Sequence, residues 1–153
     1  MIVKDAALTP LGVLVLGLLR EGDMHPYEMA RLLRARRDDR IVSITNGTLY
    51  HTVARLHAQG LLDEVGVDRD GNRPERTTYT LTPSGYAAVG DWVRRELGVT
   101  GRPATFRVAL AEAHNLDRAE AVELLTARRA LLSQDLAAHV EGLAGAASRS
   151  VPE

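Results

Sequence analysis

The sequence contains no cysteine, which excludes disulfide frameworks, thiolate metal sites and cysteine nucleophiles together. Aromatic residues are scarce as well. One Trp, one Phe and four Tyr in 153 residues leave a core that must be built from aliphatic side chains. An excess of one charge is also missing: 19 Lys and Arg against 20 Asp and Glu give a formal net charge of -1, so any polyanionic partner has to be met by a local patch. The apolar run Leu11 to Leu19 is far shorter than the roughly 20 residues that span a bilayer. Lys4 before it is offset by Asp5, and no small-residue cleavage site follows. Neither a membrane span nor a signal peptide is expected, and a cytoplasmic location fits.

Catalytic and metal-binding patterns are equally absent. The five histidines, His25, His51, His57, His114 and His139, are scattered without ligand spacing. Ser43, Ser84 and Ser133 belong to no nucleophile-base signature, and no Gly-rich phosphate loop lies between a strand and a helix. The chain is read as no enzyme, with no metal and no cofactor.

What is present is helix-forming text, rich in Ala and Leu. Thr9-Pro10 pairs a capping hydroxyl with a proline tolerated at the first helical position, and predicts a helix from about Pro10 to Glu21. That helix is apolar nearly all round, as expected if a second surface is buried against a partner. A second helix starts near Pro26 and ends in an Arg cluster. Thr45-Asn46-Gly47 opens a third, ending near Gly60. In it Leu49, Val53 and Leu56 share the core face, while Gly47, His51, Arg55 and Ala58 occupy the opposite one. Leu62 to Val67 and Thr77 to Leu81 read as strands joined by the turn-rich Asp68 to Pro74. Thr82-Pro83 then repeats the cap-plus-proline signal and opens a helix to about Leu97.

Three helices, a hairpin and a capped helix, in that order, are what a winged helix-turn-helix requires. The local charge agrees. Between Met24 and Leu62, Arg31, Arg34, Arg36, Arg37, Arg40 and Arg55 outnumber Glu28, Asp38 and Asp39 by three. The third helix has the width of a DNA major groove, and its first turn is the part that reaches base edges. Candidate DNA-binding residues are therefore Thr45, Asn46, Gly47, Thr48, Tyr50, His51 and Arg55 on this helix, with Arg69, Asn72, Arg73 and Arg76 in or beside the hairpin. Gly47 leaves room for a phosphate to approach the helix N-terminus. For Tyr50 two roles stand open, a phosphate contact through its hydroxyl or packing of its ring on the second helix.

Beyond Gly98 to Pro103, a helix from about Ala104 to His114 precedes a longer one reaching about Leu143. There Val122, Leu125, Leu132, Leu136 and Leu143 alternate steps of three and four if Arg129 and His139 hold the intervening positions, a seam that calls for a partner helix or, alternatively, for packing onto the preceding helices. Gly145 to Glu153 is read as a frayed end. The organisation expected is a mainly α (α+β) chain: residues 1–97 a winged helix-turn-helix DNA-binding domain, 98–145 a helical dimerisation region and 146–153 a flexible tail.

Gly47-Thr48-Leu49-Tyr50, Arg55-Leu56, Gly60-Leu61-Leu62 and Tyr79-Thr80-Leu81-Thr82, with Gly85 three residues on, resemble the PadR family of bacterial transcriptional regulators over roughly Leu11 to Val93. The family usually has Pro where His51 follows Leu49-Tyr50, and often Gly where Pro26 precedes Tyr27. The resemblance implies a homodimeric repressor that holds double-stranded DNA at a near-palindromic operator and releases it when a small aromatic or amphipathic effector binds. Trp92, the only tryptophan, and Tyr86 give the fourth helix aromatic groups suited either to stacking a planar effector at a dimer centre or to packing in a core or interface. The competing reading is a winged helix used for protein-protein interaction without DNA.

Overall fold

The structure is a computed structural model of the chain and describes residues 7–68, 71–72 and 75–149. The order of elements is α1 (Pro10–Leu19), α2 (Pro26–Ala35), a 3-10 turn at Asp38–Arg40, α3 (Asn46–Ala58), β1 (Leu62–Asp68), β2 (Arg76–Leu81), α4 (Pro83–Leu97), α5 (Pro103–Ala111), a 3-10 turn at Ala113–Asn115 and α6 (Arg118–Arg149).

Helix starts follow the capping chemistry of the sequence. Thr9 accepts a hydrogen bond from the Gly12 amide at 3.1 Å, Thr45 from Thr48 at 3.1 Å and Thr82 from Gly85 at 3.0 Å, and each such cap is worth about 1 kcal/mol. The helix α1 is buried from Leu11 to Leu19 without interruption. Its second apolar surface is covered within the chain: α3, α4, α5 and β2 all pack on it. Leu14, Leu16, Met29, Leu33, Leu49, Val53 and Leu56 interlock α1, α2 and α3. Fully burying an aliphatic side chain of this size contributes about 1.5–3 kcal/mol. Val108, Ala109 and Leu116 join the same core, so Gly98 to Arg102 turns the chain back onto α4.

β1 and β2 form an antiparallel hairpin in which Leu62 faces Leu81, with a bulge between Glu64 and Gly66 that leaves Val65 outside the ladder. Met24 extends the pairing: its amide donates to the Tyr79 carbonyl and its carbonyl accepts from the Tyr79 amide. The hairpin is thereby fastened to the α1–α2 connection, which fixes it beside α3.

Three boundaries depart from the sequence reading. α1 ends at Leu19 rather than Glu21, because Arg20 and Glu21 close it with bonds to Gly17 and Leu18 carbonyls of the 3-10 kind. α5 stops at Ala111, and residues 113–115 wind into a separate 3-10 turn held by the Asn115 side chain on the Glu112 carbonyl. The long helix runs past Leu143 to Arg149, since Ala146 and Ala147 are strong helix formers and Ser148 Oγ donates back to the Gly145 carbonyl. Residues 146–149 are thus helical rather than frayed, while 150–153 lie outside the described residues.

One charged side chain enters this core. The Glu112 carboxyl is 8% exposed and lies where a Cβ on Gly17 would meet it at 2.5 Å; Asn115 donates to its Oε2 at 2.7 Å. Burial pushes the Glu112 pKa above the usual carboxylate range, against the opposing pull of Asn115 and His114. A group raised in this direction contributes stability that is fully present below its unfolded pKa and is lost as pH rises through the folded one. Glu112→Gln should therefore gain on the wild type as pH rises from about 4 to 7, where an ordinary glutamate has ionised. Denaturation at several pH values reads this directly, and a pH-independent difference would contradict it.

Candidate nucleic-acid interface

The first turn of α3 projects from the body of the molecule. Thr45, Asn46, Gly47, Thr48, Tyr50 and His51 are all exposed, whereas Leu49, Thr52, Val53 and Leu56 are buried. The two faces predicted from the 3.6-residue period are thus both present.

Hydrogen bonding divides the labour within that turn. Thr48 Oγ1 accepts from the Thr45 amide and donates to the Thr45 carbonyl, both at 3.0 Å. The Thr45 and Thr48 hydroxyls are spent on capping, leaving the Thr48 methyl for outside contact. Asn46 Oδ1 accepts from Arg34 Nη2 at 3.1 Å, and no bond from its amide hydrogens is found among the described residues. At Gly47 a Cβ would meet only Thr45 Oγ1 at 3.9 Å. The fold itself does not demand glycine there, which leaves the close approach of an outside group as the physical use for it. His51, one turn on, is exposed.

The Tyr50 ring packs at the start of α2, edge-on to His25 at 6.3 Å between centroids, and the residue is still 48% exposed. His25 itself carries a role that composition did not reveal. Its Nδ1 accepts from the Tyr27 amide at 2.9 Å, and its own amide donates to Glu28 Oε2, a capping box at the start of α2. An imidazole that accepts through Nδ1 is neutral with its proton on Nε2. Burial, assisted by the nearby Arg76 cation, lowers its pKa and favours that form.

The cationic residues do not all face outward. Arg55 is half-buried and donates to Thr9 Oγ1 at 3.1 Å, which ties α3 to the start of α1. Arg36 forms a two-pronged ion pair with Glu21, at 2.6 and 2.7 Å. Arg31, Arg34, Arg37 and Arg40 are exposed around the α2–α3 connection. Arg76 lies over the Tyr27 ring at 5.3 Å, bridging the hairpin to α2. Asn72 is exposed at the hairpin turn, beside Gly71 with φ +59°, the left-handed conformation such turns require. Arg69 and Arg73 lie outside the described residues.

The two aromatic candidates for an effector are not brought together. Trp92 is 4% exposed and belongs to the core cluster, whereas Tyr86 is exposed with the Arg20 guanidinium stacked 3.6 Å from its ring centre. Six residues along a helix place them about 120° apart around its axis, a separation that a count of aromatics does not register. Arg34, His25 and Tyr27 are the contributors that sequence reasoning did not single out. Only the local Arg excess hinted at the first.

Among the described residues no cluster of metal-ligating side chains occurs, and no helix is long and apolar enough to cross a membrane.

Comparison with known proteins follows the same outline. The family model for the transcriptional regulator PadR-like family matches residues 15–91, half of the chain. Among solved structures, a transcriptional regulator from Clostridium thermocellum is 30% identical over 52% of this chain and 75% of its own, with a TM-score of 0.46. PadR of Bacillus subtilis, solved in complex with operator DNA, is 21% identical, covers 96% of this chain and 81% of its own, and has a TM-score of 0.54. The protein smu.1604c of Streptococcus mutans is 19% identical over 86% and 76%, with a TM-score of 0.51. The last two carry the likeness of fold into the C-terminal helices. A search of curated proteins gave no match. With the matched segment spanning α1 to α4 and containing both faces of α3 and the hairpin, this chain belongs to the PadR-like family of transcriptional regulators.

Proposed function

We propose that the protein is a homodimeric repressor that binds a near-palindromic operator through α3 and the β1–β2 wing and leaves it when a small aromatic or amphipathic effector binds. The observation that carries the DNA reading is the first turn of α3, where exposed polar groups surround a glycine that the fold does not require. The relative solved with operator DNA shares the fold over nearly the whole chain, which supports the same reading.

The roles proposed for the residues follow from their placement. Asn46, Thr48 and His51 face the major groove, the Gly47 backbone and Tyr50 hydroxyl meet phosphates, and Arg76 with Asn72 serves the adjacent minor groove; Arg69 and Arg73 are assigned to the same groove from their sequence position alone. Thr45 acts as the cap that orients the turn, and Arg55 as an anchor of α3 whose remaining donors reach the backbone.

Dimerisation is assigned to α6. Val122, Leu132, Leu136 and Leu143 are exposed at seam positions, and an open groove lined by Phe106, Leu125, Arg128 and Leu132 runs beside them between α5 and α6. For a dimer, two copies of α3 about one DNA turn apart require an operator of matching symmetry.

A salt titration tests the electrostatic part. With about six phosphates neutralised per protomer, log affinity is expected to fall against log salt with a slope near ~-5 per protomer, from about 0.9 per contact. A flat response would remove DNA as the partner and leave protein binding as the use of the winged helix.

A further inference from the structure

We infer that Arg34 determines operator specificity at one base position by setting the polarity of Asn46. This rests on α3 being the recognition helix and adds a residue from α2 to the readout.

The geometry is a single side-chain bond, Arg34 Nη2 to Asn46 Oδ1 at 3.1 Å. A guanidinium carries donors and no acceptor, so the amide atom facing it is the oxygen. The usual ambiguity between the ends of an asparagine amide is removed by the chemistry of its partner. Asn46 opens α3 and is exposed, and its Nδ2 hydrogens form no bond found among the described residues. Its neighbours cannot substitute: the Thr45 and Thr48 hydroxyls are occupied with one another and with the backbone, and Gly47 has no side chain.

An asparagine free at both ends pairs with adenine, its oxygen accepting from N6 and its nitrogen donating to N7. Here the oxygen is already engaged. Its second lone pair lies beside the Arg34 cation, which repels the partly positive amino group of adenine. What Asn46 offers the groove is a pair of donors, and the major-groove edges made of acceptors are guanine, through N7 and O6, and thymine, through O4. Arg34 thus selects guanine or thymine over adenine at the base Asn46 faces. It acts as a positioning residue in this, and its charge alone would not produce the effect.

The test is selection from random duplex DNA with the full chain as wild type, Arg34→Ala, Arg34→Lys and Asn46→Ala, with thermal denaturation to verify folding. The wild type is expected to enrich guanine or thymine at one position of each half-site, and Asn46→Ala to lose that preference. Arg34→Ala should move the same position, and no other, towards adenine, with a change of about tenfold in relative affinity; Arg34→Lys, still a donor only, should keep the wild-type base. Three results would overturn the inference. These are an unchanged base preference in Arg34→Ala, a uniform loss across all sequences, which marks a phosphate contact, and a wild-type preference for adenine at the position that Asn46→Ala erases. The last needs no Arg34 variant. Failure of the wild type to enrich any sequence would instead overturn the DNA reading itself.

Discussion

Leu132→Glu combined with Leu136→Glu is expected to give a folded monomer whose operator affinity is lower by about two to four orders of magnitude. Both side chains are exposed in the single chain, Leu132 at 45% and Leu136 at 65%, so neither supports the core that α1, α3 and α4 share. Leu124 and Leu125, which do pack on that core, are left intact. Placing two carboxylates on the seam would desolvate them against a partner helix, and an unpaired buried charge costs several kcal/mol. The large loss of affinity comes from elsewhere. With both half-sites engaged, the second recognition helix binds at the high effective concentration set by the first, and a monomer forfeits that gain. Sedimentation velocity and circular dichroism of the variant, beside a DNA titration, separate the steps. A variant that stays dimeric would remove α6 as the interface.

Gly85→Ala should produce the largest loss of stability, at least about 3 kcal/mol, the upper end of the range for overpacking. Gly85 sits in the first turn of α4, and a Cβ there would lie 2.0 Å from the Leu61 carbonyl oxygen. The contact has little freedom to relax. That same carbonyl accepts from the Thr82 amide, and the Thr82 hydroxyl donates to the Gly60 carbonyl at 2.8 Å. The end of α3, the start of β1 and the cap of α4 are therefore pinned at one corner. Moving any of them to admit a methyl group would tilt the recognition helix or the wing. Chemical denaturation at fixed protein concentration measures the loss, and Gly47→Ala is the control, since a Cβ at Gly47 meets only Thr45 Oγ1, at an unstrained 3.9 Å. Equal effects of the two substitutions would contradict the account of the corner.

Much of this corner was legible in the sequence. Thr82-Pro83 and Thr9-Pro10 announced α4 and α1 because capping is local chemistry, read within three residues. The division of α3 into a core face and an outward face followed from periodicity alone, and the hairpin from its turn residues. Less visible was everything that depends on how elements cross. The burial of Trp92 apart from Tyr86, the Glu112 carboxyl against Gly17 and the Arg34 bond to Asn46 each join residues whose proximity is set by packing. The second apolar surface of α1 shows the same limit. Its sequence calls for a cover, yet nothing local could say that the cover comes from α3, α4, α5 and β2 of the same chain. Arg55 and Arg36 belong here too, since a charge count cannot tell a guanidinium facing solvent from one tied to Thr9 or Glu21.

That two copies of this winged helix read one operator, as proposed, is tested most directly by footprinting of the purified full chain on a duplex enriched from random sequence, with nonspecific competitor present. Two protected half-sites related by near two-fold symmetry, centred about one helical turn or ~34 Å apart, are the predicted result. Uniform protection regardless of sequence, or none, would contradict it.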